Sequence, residues 1–372
     1  MDNLTPRQQE VLDAYNKAGS HRKAAELLGC SKNAVTQSLN QIKKKALMGQ
    51  GTQTPTLVPC EPGFTTKRIS TAKREDGTIA LQWHIQEPEK VSLEQTQEHL
   101  IEVFSSIKPC KPLPQPKRVM ADLASCYIIG DHHLGMTACE EETGQDWDLE
   151  KSEKTLIEST QRLVARSPES HTGYLINLGD FLHADDKTNR TPRSGHALDA
   201  EHFCRVARRA GIIQKTLVEL MLQKHKKVEV INVRGNHDPN SGMWLNEVLR
   251  AYFLNEKRVN IAQNFMKFLW FTWGKNLVVT HHGDGINWAR MHQSVVSNLS
   301  KEWGESEYRF GWTGHLHHEE SKEIGGMKFE RFGVLPPPDA WHAGEGYGAQ
   351  RSMNCIVLHK RYGLDTRFQV TV

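Results

Sequence analysis

Five short polar clusters carry side chains able to hold metal ions and move protons. They are Asp131-His132-His133, Gly179-Asp180, Gly235-Asn236-His237-Asp238, His281-His282-Gly283-Asp284 and Gly314-His315-Leu316-His317. Carboxylate, amide and imidazole donors without a thiolate suit Mn2+, Fe2+ or Zn2+, and a carboxylate such as that of Asp180 can bridge two cations. Donors this far apart in sequence need stiff elements to bring them together. Four clusters directly follow short apolar runs, at 126–129, 173–176, 228–233 and 276–279, and the fifth follows 308–313. Runs of that length, rich in Val, Ile and aromatics, predict buried strands. The carboxyl ends of strands are where an open α/β sheet places its ligands.

Taken in order, Asp-x-His, Gly-Asp, Gly-Asn-His-Asp, His-Gly and Gly-His-x-His resemble the motifs of the calcineurin-like metallophosphoesterases, over residues 122–345. The resemblance implies an α/β domain at 119–372, a two-sheet metallophosphoesterase sandwich flanked by helices. It implies a metal-dependent phosphoesterase, a phosphodiesterase or nuclease, with two divalent metal ions: Mn2+ as first choice, with Zn2+, Fe2+ or Mg2+ as alternatives. Carried over position by position, Asp131, His133 and His317 hold one metal, Asn236, His282 and His315 hold the other, and Asp180 bridges them. Cations sharing a carboxylate in this way sit about 3.5–4 Å apart. A hydroxide between them would attack phosphorus in line with the leaving oxygen, and His237 would assist the leaving group with Asp238 orienting its imidazole. Gly283 favours His282 over His281 as the ligand. Strand alternation turns His132 and His281 to the opposite face, which makes His281 a neighbour of the ligands. His183 either lines the site or packs beneath it, and Asp284 and His318 fall outside the ligand set.

The chain has 372 residues, 38% hydrophobic and 24% charged, ordinary values for a globular protein with one large and one smaller domain. No apolar run approaches the roughly 18 residues of a membrane span, and the first residues lack the basic and apolar segments of a signal peptide. The seven cysteines are scattered without a Cys-x-x-Cys, so neither a disulfide framework nor a structural zinc site is indicated. Reduced thiols and a cytoplasmic location, in a bacterium or a phage-infected host cell, are expected.

The net charge is +3, yet residues 1–50 hold eight Lys/Arg against four Asp/Glu, an excess of four. A local basic excess favours an anionic partner. Within 5–46 the pattern predicts three helices. Leu4, Val11, Leu12 and Tyr15 form the first apolar stripe, Ser20 and Ser31 cap the second and third helices, and Gly19 and Gly29 end the first two. The short turn 28–31 resembles that of helix-turn-helix domains, so 1–48 is expected to be a small all-α DNA-binding domain. Lys32, Asn33, Thr36, Gln37 and Asn40 would then lie on the recognition helix, as types that reach base edges or phosphates. Such modules commonly pair on two half-sites, so a homodimer is compatible with this reading. A three-helix bundle used only for dimerisation is the competing account. Residues 49–63 read as a linker and 64–118 as a connector region. That region holds a hairpin turning at Asp76-Gly77, a helix over 92–107 and a Pro-rich stretch at 108–116.

Family resemblance alone does not choose the phosphate ester. Asp131-His132-His133-Leu134-Gly135 resembles the repair-nuclease branch, while Phe181-Leu182-His183 lacks the Asp-Arg-Gly continuation of the serine/threonine protein phosphatases. The Asp339-Ala340-Trp341-His342 segment and the tail to Arg351 resemble phage and prophage metallophosphoesterases. Trp341, His342 and Tyr347 could stack bases or pack in the core. The loop 186–196 places Lys187, Arg190 and Arg193 near the second cluster, where they could steer a nucleic-acid backbone. The leading expectation is a DNA nuclease delivered to DNA by its amino-terminal module. The alternatives are a DNA-binding regulator whose metal domain hydrolyses a small nucleotide phosphodiester or senses metal, and a plain nucleotide phosphodiesterase.

Overall fold

The computed structural model describes residues 5–48, 64–74, 77–88, 108–111, 113–263, 265–346 and 348–372. The expected linker, the expected 92–107 helix, Leu4 and Tyr347 lie outside the described residues. The chain divides into two units, Met1–Lys90 and Val91–Val372. The expected 64–118 connector is thereby split. Its hairpin groups with the amino-terminal unit, whereas its Pro-rich end is packed into the second: Cys110 is buried and its N–H donates to the Tyr252 carbonyl at 2.9 Å.

In the first unit, α1 (Pro6–Ala18) starts on a reciprocal cap. The Thr5 hydroxyl accepts the Gln8 N–H at 3.3 Å and the Gln8 side chain accepts the Thr5 N–H at 3.2 Å, satisfying two otherwise orphan donors. Helix α2 (His21–Leu27) is capped by Ser20, and α3 (Lys32–Met48) by Ser31. Val11, Ala24, Ala25, Val35, Leu39 and Ile42 close one small core among the three. Lys32, Asn33, Gln37 and Asn40 are exposed on α3. Thr36 is half-buried, its hydroxyl donating to the Lys32 carbonyl at 2.9 Å and meeting His21 Nδ1 at 2.9 Å. Strands β1 (Phe64–Lys73) and β2 (Ile79–Pro88) form an antiparallel hairpin.

The second unit is four layers deep. A six-stranded sheet runs in the order β13-β12-β3-β4-β5-β6 and a five-stranded sheet in the order β10-β11-β9-β8-β7. The first holds β3 (Met120–Ile129), β4 (Ser170–Asn177), β5 (Lys227–Asn232), β6 (Val259–Ile261), β12 (Ser352–His359) and β13 (Gly363–Thr371). The second holds β7 (Leu269–Trp273), β8 (Asn276–Thr280), β9 (Tyr308–Thr313), β10 (Glu320–Ile324) and β11 (Met327–Arg331). Strands β3 to β6 are mutually parallel, as are β8, β9 and β11.

Alternation explains why these strands read as unbroken apolar runs. On one face of the six-stranded sheet, Tyr127, Ile129, Leu175 and Val230 pack against Leu156, Leu217 and Leu249. Those three come from helices α5 (Leu149–Arg166), α6 (Phe203–Leu222) and α7 (Ser241–Tyr252), which follow the short α4 (Glu140–Thr143). On the other face, Cys126, Ile128, Tyr174 and Ile231 meet Val278, Phe310 and Trp312 of the second sheet. The far side of that sheet, with Leu277, Val279 and Phe329, is covered by Met291 and Val295 of α8 (Trp288–Asn298). Strands buried on both faces need apolar residues at every position. Helices α9 (Ser300–Glu305) and α10 (Ala340–Gly344) are the remaining helices among the described residues of the unit. No helix among the described residues is long and apolar enough to cross a membrane.

Candidate metal centre

Parallel pairing brings the clusters into line. Ile129, Asn177 and Asn232, the last residues of β3, β4 and β5, are register partners across the sheet. The ladder continues past them: the Leu178 N–H donates to the Ile129 carbonyl at 3.0 Å and the Val233 N–H to the Asn177 carbonyl at 2.9 Å. In the second sheet the His281 N–H donates to the Trp312 carbonyl at 3.1 Å and the Gly314 N–H to the His282 carbonyl at 2.9 Å. The polar clusters therefore leave the strands as extensions of the ladder, with little freedom to drift.

Two donor groups form where these loops meet, Asp131 with His133 and His317, and Asp180 with His282 and His315. Within each group the ligating atoms lie within 4.8 Å of one another. Asn236 joins the second group, its Oδ1 2.9 Å from His282 Nε2. Asp180 Oδ2 lies 3.1 Å from the same nitrogen. A third group, His133 with His183 and His237, abuts the first.

The arrangement fits divalent cations on its own chemistry. His282 Nδ1 bonds the Leu178 carbonyl at 3.0 Å; a carbonyl only accepts, so that nitrogen carries the proton. Nε2 is left as a lone pair facing two oxygen acceptors, a repulsive set unless a proton or a cation sits among them. Burial opposes a charge on this imidazole, but the Asp180 and Asp131 carboxylates outweigh it and lift its pKa to about 10. A cation would take the place of that proton. His133 Nε2 faces His317 Nε2 at 3.0 Å. Burial holds the rings of His133, His315 and His317 below the usual pKa, and neutral imidazoles are the form that ligates.

Backbone strain marks the same residues. Among the described residues, five that are not glycine have left-handed φ, and four of them are His133, Asp180, His315 and His317. Such conformations cost roughly 1–3 kcal/mol each and persist where surrounding contacts impose them. Two motif glycines are required for close approach: a Cβ on Gly235 would fall on the Asp180 carboxylate, and one on Gly314 on that of Asp131. Asp131 is buried and accepts the His315 N–H, with both oxygens 2.9 Å away.

His237 is half-buried beside this centre. Its Nδ1 donates to the His183 carbonyl at 2.8 Å, its ring stacks on His183 with centroids 5.4 Å apart, and its N–H reaches Asp180 Oδ1 at 2.8 Å. Asp238 departs from its expected role. Its oxygens accept the N–H groups of Asp180, Leu182 and Gly235 at 3.0–3.1 Å, so it ties two ligand loops together while a carbonyl orients His237. Burial and the nearby Asp180 raise its carboxyl to about 8.

His183 holds more of the site than its sequence position discloses. Its Nδ1 lies 3.1 Å from His133 Nδ1, the kind of partner that fixes a ligand's tautomer and orientation. His132 and His281 point away. His132 meets Ser152 at 3.1 Å and is held near pKa 3 by burial; His281 accepts the Gly283 N–H at 2.9 Å and is held near 4, again by burial. Asp284 pairs with Lys267 at 2.5 Å, and the exposed His318 bonds the Leu316 carbonyl and Arg331. His342, read in the sequence as a residue that stacks bases or packs in the core, is bonded by Asp339 at 2.8 Å and stacks on His317 at 4.6 Å, a contact that the sequence did not disclose. Arg351 is committed to the Leu335 carbonyl and Gln145, at 2.6 Å each.

The model of the calcineurin-like phosphoesterase family matches residues 125–348. The chain belongs to that family, and it is a metal-dependent phosphoesterase whose His and Asp groups imply divalent cations. No curated protein sequence matches it. Among solved structures it is similar to a predicted phosphoesterase from Streptococcus pneumoniae, at 12% identity over 68% of this chain and 100% of that one, with a TM-score of 0.30. It is also similar to the E. coli phosphoesterase Yfce, at 14% identity over 66% of this chain and 98% of that one, TM-score 0.33. A dimetal phosphatase from Danio rerio is similar at 10% identity over 67% and 98%, TM-score 0.36.

Proposed function

We propose that this phosphoesterase is a two-metal phosphodiesterase that cuts nucleic acid, a DNA nuclease brought to DNA by its amino-terminal helices. The observation that carries the reading is the meeting of two three-residue donor groups, Asp131/His133/His317 and Asp180/His282/His315, with the His237 imidazole beside them. Asp180 would be the carboxylate shared by the two groups, and Asn236 would complete the second. Bound divalent cations would offset phosphate charge and bring a water's pKa towards neutrality.

The chain's own residues supply the rest. The His183 carbonyl fixes Nδ1–H of His237, so Nε2 is the atom that, when protonated, delivers a proton to the leaving oxygen. His183 also steadies His133 from behind, and Asp238 keeps the Asp180 and Gly235 loops in register. The delivery half of the proposal is supported by the exposed Lys32, Asn33, Gln37 and Asn40 on α3 and by the basic excess of residues 1–50. Tethering a hydrolase to a polyanion raises the local concentration of its phosphodiester bonds.

Hydrolysis of DNA, RNA, cyclic and linear nucleotides and bis-p-nitrophenyl phosphate, each with Mn2+, Zn2+ or Mg2+ and with His237→Ala as control, tests this. Metal-dependent cleavage of DNA that the control lacks is expected. Turnover of bis-p-nitrophenyl phosphate or small nucleotides with DNA left intact would overturn the nuclease reading and favour a nucleotide phosphodiesterase.

A further inference from the structure

Next to the second donor group lies a cavity of about 350 Å3 whose lining includes Arg193, Lys267, Phe268, His281, Asp284 and Arg290. Two of its lining residues, His281 and Asp284, lie close enough to His282 and His315 of that group to interact with them electrostatically. Three cations reach it from separate parts of the chain: Arg193 from the loop 186–196, Lys267 from the segment before β7, and Arg290 from the first turn of α8. Lys267 pairs with Asp284. Arg193 and Arg290 are exposed, and neither has an ion-pair partner among the described residues.

Guanidinium groups turned into one concavity raise its potential and concentrate anions there. Their planar fork matches phosphate oxygens two at a time. We propose that this cavity is a backbone subsite, which holds a phosphate of a nucleic-acid strand next to the scissile one. The proposal rests on the nuclease reading and names its substrate class more closely. A substrate with a single phosphodiester fills the metal centre and leaves the cavity unused; only a chain with further phosphates reaches both.

Two more observations favour a nucleic-acid strand over a simple polyphosphate. Phe265 and Met266, just before Lys267, are 68% and 55% exposed, an apolar surface on which bases can stack. Asp284 Oδ1 is buried without a hydrogen-bond partner among the described residues, an acceptor for a base amino group or a sugar hydroxyl. The Lys267 pair offsets the charge of that carboxylate, so the two arginines leave the wall cationic.

The test compares kcat/KM on a single-stranded oligonucleotide with kcat/KM on bis-p-nitrophenyl phosphate, for the full chain and for Arg193→Ala, Arg290→Ala and Arg290→Lys, over a range of salt. Each alanine variant is expected to lower the oligonucleotide-to-small-ester ratio roughly tenfold, the scale of one missing charge-assisted hydrogen bond. The slope of log(1/KM) against log salt should become shallower by about 0.7 for each single-strand phosphate that is no longer neutralised. Arg290→Lys should keep the slope and recover only part of the ratio. If the wild type cuts the oligonucleotide and the alanine variants keep its ratio and slope, the subsite is overturned and the nuclease reading stands. If the wild type cuts only the small ester, the nuclease reading falls and the subsite falls with it.

Discussion

His237 sits within reach of two different chemistries. Its ring centroid is 4.8 Å from that of His133 and 5.4 Å from that of His183, close enough for three imidazoles to share one ion. The hydrogen bond to the His183 carbonyl decides the protonation site but leaves Nε2 available to a metal or to a leaving oxygen. A proton-transfer role and a ligand role give different outcomes in His237→Ala. If His237 moves the proton, kcat should fall by about 10²–10⁴, and the number of divalent ions bound per chain, measured by atomic emission, should match the wild type. Loss of an ion together with activity would make His237 a ligand and leave the leaving group without its assistant. The sequence placed His237 next to Asn236 and gave its type; its carbonyl partner comes from another loop and could not be read from spacing.

At the scale of elements, the site is a set of loops held by the carboxyl ends of parallel strands. The donor side chains and the strand ends that carry them were legible in the sequence because each strand and its cluster are contiguous, as at 126–133. What joins one loop to another was not, because those partners lie far apart in sequence. Asp238 bonds N–H groups of Asp180 and Leu182, 58 and 56 positions away, and His342 stacks on His317 from a short helix of the tail. The strand-end loops carry left-handed residues and motif glycines, so they cannot hold their shape by local propensity alone. Asp238 is the clamp that opposes this strain. Asp238→Ala would strip an acceptor from three buried N–H groups, each costing about 1–3 kcal/mol when unpaired. Urea unfolding should therefore show a loss of several kcal/mol, and metal titration a binding curve shifted to weaker affinity. Unchanged unfolding would mean that water replaces the carboxylate and that Asp238 is no clamp.

Across the whole molecule, chemistry and positive charge are divided between the two units. Every donor of the metal groups lies in the second, whereas residues 1–50 alone carry a basic excess of four against three for the full chain. The sequence showed both halves of this division, through five motifs in one and a basic helical segment in the other. The boundary was less legible, since composition alone could not show that Cys110 and Leu113 belong to the core of the second unit. If the amino-terminal helices bring the enzyme to its substrate, deleting residues 1–48 should act on binding more than on chemistry. Fluorescence anisotropy with duplex DNA should then show weaker binding and a flatter dependence of log K on log salt, by about 0.9 for each duplex phosphate that is no longer neutralised. Turnover of bis-p-nitrophenyl phosphate should persist, because the metal groups and the layers that hold them remain. In the full chain, Lys32→Ala and Gln37→Ala should weaken DNA binding in the same direction, Lys32 by lowering the salt slope and Gln37 by relaxing sequence preference. Equal DNA affinity and salt slope in the truncated and full-length proteins would remove the delivery role and leave the second unit to find its substrate alone.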